Sequence, residues 1–448
     1  MKTMALVLSA FLGGCASLSP DGGFSRVEES VKERVGAQTK WVRSDDEANS
    51  VRARVGELLA KPLSAQDAVQ VALLNSPALQ ARYAEVGIAE AELVQASRWR
   101  GPSFSFARLR RGDETEYERS VFFDVLGLIT IPLSVRAEGK RLEGAQSRAA
   151  GEALRVALDT RKAWFHAVAA QETVKYMEQV KEAAEASAEL GRRMAAAGNW
   201  SKLDQAREQA FYADASTQLA RSMHAERAAR ERLTRLMGLW GDDVAFKLPD
   251  RLPELPKAPR EAVDLEAQAL AQRLDVQGAK RDAEALAGSL GLTRATRFVS
   301  LLEFGLHSNS ETGKPRQRGW EIELRLPIFD SGDARTARAE RAYMRAVSRA
   351  GEAAIQARSE VREAYSAYRT SFDLAGHYRD EIVPVRKRIS GEMLLRYNGM
   401  LASVFELLAD SREQVMAVNG YIEALRDFWL AESDLQMALT GRSPGEQR

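Results

Sequence analysis

Few side chains in this sequence are spaced for bond-making chemistry. The four histidines, His166, His224, His307 and His377, are scattered, and none stands at ligand spacing from another. No GxSxG, phosphate-loop or GxGxxG segment occurs, so the spacings that build a nucleophile elbow or cradle a phosphate are missing. The eleven methionines form no cluster of the kind that relays copper. Cys15 is the single thiol, which excludes a disulfide or a cysteine zinc site within one copy. We therefore expect no enzyme and no cofactor. The remaining candidates are ionisable groups, Asp204, Tyr397, Glu406 and Asp410, beside two short breaks in long helical sequence. One break holds Gly198, Asn199 and Ser201, and the other holds Asn398, Gly399, Met400 and Ser403.

Cys15 carries the one covalent expectation. It follows Lys2, an apolar stretch from Met4 to Leu12, and Leu12-Gly13-Gly14. That pattern reads as a secretory signal too short to span a bilayer. The small residues before Cys15 resemble the lipobox of bacterial lipoproteins, which implies acylation of Cys15 after cleavage. Ala16 stands where an aspartate would favour retention at the inner membrane, so the outer membrane is expected.

The chain has 448 residues, 28% charged and 45% hydrophobic, with a formal net charge of +1. Such a balance offers no basic face for nucleic acid. Beyond the N-terminal stretch no apolar run reaches the ~18 residues a spanning helix needs. Any crossing of a membrane must then be made by strands.

The elements that position the two breaks repeat. LNSPALQARYAEVGIAEAEL (74–93) has the pattern of QRLDVQGAKRDAEALAGSL (272–290) at an offset of 197. LITIPLS (128–134) resembles ELRLPIF (323–329), with Pro132 against Pro327 at an offset of 195. MAAAGNWSKLDQAREQ (194–209) precedes RYNGMLASVFELLADSREQ (396–414), matched at 202 by Ser201 with Ser403 and Asp204 with Glu406. Pro249, Pro253, Pro256 and Pro259 lie between the copies and forbid a helix there. The reading is a signal at 1–14, a lipid-anchored extension at 15–62, a first repeat at 63–240, a Pro-rich connector at 241–262, a second repeat at 263–441 and a tail at 442–448.

Each copy reads as helix, two strands, long helix, break and helix, the first opened by a capping box from Ser64 to Asp67. The strands are placed at Pro102–Arg110, Ser120–Leu133, Phe298–His307 and Trp320–Phe329. In the last, Trp320, Ile322, Leu324, Leu326 and Ile328 alternate with Glu321, Glu323 and Arg325. A period of two with one apolar and one charged face fits a transmembrane strand, or the edge of a half-buried sheet. The polar stretches RRGDETE and SNSETGKPRQ join the pairs, and the RGD at 111–113 is read as a turn. Ala339, Tyr343, Ala346, Ala350, Ala353 and Ala357 follow coiled-coil spacing. The first long helix, roughly 138–193, would be about 80 Å long, and Pro384 should kink its counterpart. The fold class is mainly α with a small β part, built from duplicated long helical hairpins. The breaks are their tips, with Gly198, Asn199, Asn398 and Gly399 expected in left-handed turns and Ser201 and Ser403 as N-caps. Four strands cannot close, and open edges are not tolerated in a bilayer. About three copies, giving twelve strands, would make a closed barrel.

In LGGC, PLSAQDAVQVALLNSPALQARYAEV, LRLPIFDSGDARTA and the two tips, the chain from Leu63 to Gly441 resembles the TolC-like outer-membrane efflux ducts, in their lipoprotein branch. The resemblance implies a lipid-anchored homotrimer with a twelve-stranded barrel in outer-membrane lipid and a helical tunnel in the periplasm. Its tips would dock a periplasmic adaptor serving an inner-membrane pump. It also implies a latch from Tyr397 and Asp204 and an acidic ring beginning at Glu406. Ala409 stands at the second ring position with Asp410 one residue later, Met400 at the usual tip glycine, and Ala402 at a latch arginine. The first copy reads LSVRAEG where the strand exit FDSG is usual. Ring carboxylates or a solvated helix face are both open for Glu406 and Asp410. A periplasmic adaptor or structural coiled-coil lipoprotein is the alternative to the duct, and no cargo is legible.

Overall fold

The computed structural model describes residues 17–261, 263–299, 301–325 and 331–441. Cys15, the signal segment and the Leu326–Phe329 end of the last expected strand lie outside them. The chain divides into two compact units, each drawn from both sequence repeats.

The first unit holds residues 81–150 and 274–355 with the segment up to Val27. Its centre is a four-stranded antiparallel sheet in the order β1 (Ser103–Arg111), β2 (Glu114–Asp124), β3 (Leu301–Glu311), β4 (Gln317–Arg325). Arg111 pairs with Glu114, so Gly112 and Asp113 form a two-residue turn, with Gly112 at φ +62°. Gly313 does the same work between β3 and β4 at φ +77°. Left-handed backbone at the loop matches the twist of the flanking strands. Of the two polar, turn-like stretches, RRGDETE is strand except at Gly112 and Asp113, whereas in SNSETGKPRQ the residues from Thr312 to Arg316 form the loop.

The second strand ends earlier than its sequence suggests. Ser120–Leu133 was expected to be extended, but from Val125 onward the chain is helical to Ala196, as α5 by the numbering below. Asp124 causes the switch: its Oδ1 accepts the Gly127 N–H at 2.7 Å, which caps the new helix. Pro132 therefore lies inside a helix, while Pro327, its match in the sequence, lies outside the described residues.

Helices make up most of the other described residues of this unit. The segment before β1 belongs to α4 (Pro77–Ser97), preceded in the chain by α1 (Ser25–Val35), α2 (Asp45–Leu59) and α3 (Ala65–Asn75). After β2 run α5 (Val125–Ala196) and α6 (Lys202–Met237), then α7 (Leu265–Gln272), α8 (Leu274–Ala295) and α9 (Asp333–His377) around β3 and β4. α5 and α8 approach closely because small residues meet: a Cβ on Gly288 would sit 3.5 Å from the Ala137 Cβ. Arg148–Asp282 at 2.9 Å and Lys140–Glu284 at 3.4 Å flank that seam.

The second unit holds residues 28–80, 151–273 and 356 onward. Its core is aromatic. Phe165 stacks on Trp429 at 5.3 Å, and Phe428 touches Tyr368 at 5.5 Å. Trp164 donates Nε1–H to the Leu63 carbonyl at 2.8 Å. The Pro-rich connector opens with a 3-10 turn at Gly241–Ala245 and then runs without helix or strand through its prolines, as expected, lying on the helices. Leu248, Leu252 and Leu255 are buried, and Trp429 and Gln171 donate to the carbonyls of Pro253 and Pro249 at 3.0 Å each.

The repeat is visible in backbone geometry. α3 and α4 are separated by Ser76, extended at ψ 115°, and α7 and α8 by Arg273, extended at ψ 128°. These positions match at the offset of 197 found in the sequence. Ser64 caps α3 by accepting the Asp67 N–H at 3.1 Å, as expected. Near Pro384, α9 passes through one π turn, Tyr378–Ile382, into α10 (Val383–Asn398). Pro384 has no N–H for an ordinary helical bond, and Val383 reaches back five residues to the Tyr378 carbonyl. α11 (Val404–Thr440) then returns.

Candidate functional site at the hairpin tips and on the sheet

Two helical hairpins in the second unit end in the same turn. After α5, Gly198 N–H binds the Ala195 carbonyl at 3.1 Å and Asn199 N–H binds that of Met194 at 3.0 Å. After α10, Met400 N–H binds the Tyr397 carbonyl at 3.0 Å and Leu401 N–H that of Arg396 at 2.8 Å. Both are Schellman closures, whose penultimate residue must be left-handed. In the first tip that residue is Gly198 at φ +76°, and in the second it is Met400 at φ +59°.

This corrects the sequence reading. Asn199, Asn398 and Gly399 are not left-handed, and Gly399 has φ −81°. α10 runs to Asn398, so the residue in register with Gly198 is Met400. Holding a Cβ residue there costs roughly 1 kcal/mol. Met400→Gly is therefore expected to tighten the second tip, slowing amide exchange at Leu401 about fivefold. Unchanged exchange would show that Met400 carries no strain.

Both returning helices start on a serine. Ser201 Oγ accepts the Asp204 N–H at 3.1 Å, and Ser403 Oγ accepts the Glu406 N–H at 3.2 Å. Glu406 completes a capping box, accepting the Ser403 N–H at 2.7 Å. That backbone bond, with the Ser403 hydroxyl, holds the Glu406 carboxyl below its ordinary range. Asp204 also reaches Arg207 at 3.7 Å, while Tyr397 is half-buried on the last turn of α10. No hydrogen bond joins Asp204 to Tyr397 among the described residues of this single chain.

Asp410 is not on a solvated face. It is buried, and Ser390 donates to its Oδ2 at 2.5 Å across the second hairpin. Glu208, at the matched position of the first hairpin, is also buried and takes a bond from Ser187 at 2.8 Å. The sequence reading missed Glu208, although applying the offset of 202 to Asp410 would have found it. Trp200 and Phe405 were missed as well. Their rings meet at 5.2 Å and bring the two tips together. Gly191 makes room for Trp200, since a Cβ there would sit 3.0 Å from the indole. Outside this contact the tips present apolar side chains to solvent. Leu203 is 60% exposed, Leu401 82% and Met400 94%.

The sheet in the first unit has two unlike faces. Register places Phe104, Val121, Leu306 and Trp320 in one row. Phe123, Phe304 and Ile322 follow on the same face, most of them exposed. The opposite face carries Glu116, Glu118, Glu303, Glu321 and Glu323 by the same register. His307, one of the scattered histidines, lies on that face. Its Nδ1 is 2.7 Å from Ser120 Oγ, and its Nε2 is 3.0 Å from Glu321 Oε2. Among the described residues β1 and β4 each have a partner on one side only. No helix is long and apolar enough to cross a membrane, and no cluster of metal-ligating side chains occurs, both among the described residues.

No family model matches the chain, and no curated protein matches it. Solved structures do. The outer-membrane channel OprN superposes with a TM-score of 0.72 at 17% identity, covering 92% of this chain and 95% of its own. The outer membrane protein VceC of Vibrio cholerae gives 0.68 at 15%, covering 88% and 97%. The CmeC outer membrane channel of Campylobacter jejuni gives 0.69 at 16%, covering 92% and 91%. The chain has the TolC-like fold of these channels, as its sequence led us to expect.

Proposed function

We propose that this chain, with its TolC-like fold, is an outer-membrane duct that passively conducts cargo delivered by an inner-membrane pump and a periplasmic adaptor. The observation that carries the reading is the sheet. It has one apolar and one acidic face and two unpaired edges, a combination that makes sense only if further strands close it. In a bilayer each unpaired backbone group costs several kcal/mol. Three copies would supply twelve strands, with the glutamate face lining water and the apolar face meeting lipid. Cys15, acylated at the mature N-terminus, would add an anchor.

The tips are proposed as the docking surface. Gly198, Asn199, Ser201, Asn398, Gly399, Met400 and Ser403 shape them, and the exposed Leu203, Met400 and Leu401 offer apolar contact to a helical partner. Asp204, Tyr397, Glu406 and Asp410 are retained as the proposed gate, in which the caps at Asp204 and Glu406 stiffen the first turns of the returning helices. A soluble coiled-coil adaptor would gain nothing from an exposed row of Phe104, Trp320 and Ile322, which disfavours that alternative. Light scattering of the protein purified in mild detergent tests the assembly. We expect the protein mass of a trimer, and a stable monomer would contradict closure by three copies.

A further inference from the structure

The apolar face of the sheet does not stay apolar to its turn end. One row beyond Phe104, Val121, Leu306 and Trp320, about 7 Å along the strands, stand Arg119 and Arg318. Arg108 and Arg110 follow on β1, nearer the Gly112 turn. The glutamates of β2, β3 and β4 occupy the other face, with Arg111 and Arg325 beside them, so this group of four arginines has no carboxylate in its own rows.

These guanidiniums are not neutralised within the chain. Among the described residues none of Arg108, Arg110, Arg119 and Arg318 has a carboxylate within 4.0 Å. Two of them, Arg108 and Arg119, lie over aromatic rings instead. Arg119 is 5.6 Å from the Tyr117 ring and 5.9 Å from that of Phe106, and Arg108 is 5.8 Å from Tyr117. Arg110 donates only to the Gly112 carbonyl at 3.1 Å. Stacking of this kind holds a guanidinium plane while leaving its N–H groups free to meet an anion.

We propose that this patch binds net-anionic, phosphate-bearing lipid headgroups in the leaflet at the turn end of the sheet. The inference rests on the reading that the sheet is inserted in a membrane. An apolar band bordered by Tyr117, Trp320 and a group of arginines has the polarity of the boundary between acyl chains and headgroups. At that depth a planar donor fork matches a phosphate in two bonds. A zwitterionic headgroup carries its own ammonium and would compete poorly for unpaired guanidiniums.

The test uses the full chain reconstituted in nanodiscs of phosphatidylcholine doped with either phosphatidylglycerol or a bisphosphorylated glucosamine-disaccharide lipid. Lipids retained by the protein are then counted by native mass spectrometry. We expect both anionic lipids to be enriched over their bulk share. The triple variant R108Q/R119Q/R318Q should weaken that preference about a hundredfold. Retention of phosphatidylcholine in proportion to its abundance, or equal enrichment in the variant, would overturn the proposal. Displacement of the lipids by inorganic phosphate at equal concentration would overturn it too, because the site would then recognise the free ion. Conductance of the parent protein in phosphatidylcholine bilayers reports separately on the membrane-inserted reading: its absence would sink that reading, whereas lipid preference addresses the patch alone.

Discussion

Replacing Gly198 by tryptophan should abolish export while leaving expression and trimer yield close to normal. The glycine holds a left-handed backbone at φ +76°, so any side chain there is strained by roughly 1–2 kcal/mol. That cost is local. A Cβ at Gly198 meets nothing within 4 Å, and the matched residue of the other tip is already a methionine in the same closure. The turn thus survives a side chain, whereas a partner helix seated against the tip would meet an indole. Export would be read as host resistance to a compound to which deletion of this protein sensitises the cell. Normal export would rule out docking at this tip. Parallel loss of export and trimer would mean that Gly198 only permits the reversal.

Arg273→Ala should lower stability by about 3 kcal/mol, the largest effect expected of a single truncation. Arg273 is fully buried at the break between α7 and α8, and its Nη1 meets Glu360 Oε2 on α9 at 2.7 Å. Removing the guanidinium leaves a cavity and strips Glu360 of this partner. Because the Glu360 side chain is 23% exposed, water relieves part of that cost, so we place the loss at the low end of the range for broken buried pairs. The melting temperature followed by circular dichroism reads it directly. An unchanged melting temperature would show that the pair contributes nothing net.

How much of this was legible in the sequence depends on whether the determinant was local. The tips were legible because serine caps and a glycine reversal act through neighbours in the chain. The repeat was legible in the helix break, since Ser76 and Arg273 sit at the same offset as the flanking apolar patterns. The end of β2 was misjudged. Leu128–Leu133 alternates like a strand, and the decisive signal was a single Asp124 carboxylate capping Gly127. Gly399 was assigned the left-handed turn because glycine tolerates it best, yet helix register put Met400 there. Glu208 and Asp410 were obscure for another reason: a buried carboxylate is stabilised by a serine some twenty residues away across a hairpin, which spacing alone does not reveal. The two-faced sheet was half legible. The apolar alternation of β4 was plain, but the arginine rows appear only when four strands are set in register.

Whether this protein makes a water-filled path across a bilayer is read directly by a planar-bilayer recording of the purified protein. With the glutamates of β2, β3 and β4 lining the lumen, we predict discrete conductance steps. Under a salt gradient the zero-current potential should have the sign of cation preference, and that preference should fade in the variant E303Q/E321Q/E323Q. A protein that associates with the bilayer but gives no conductance steps would contradict the duct.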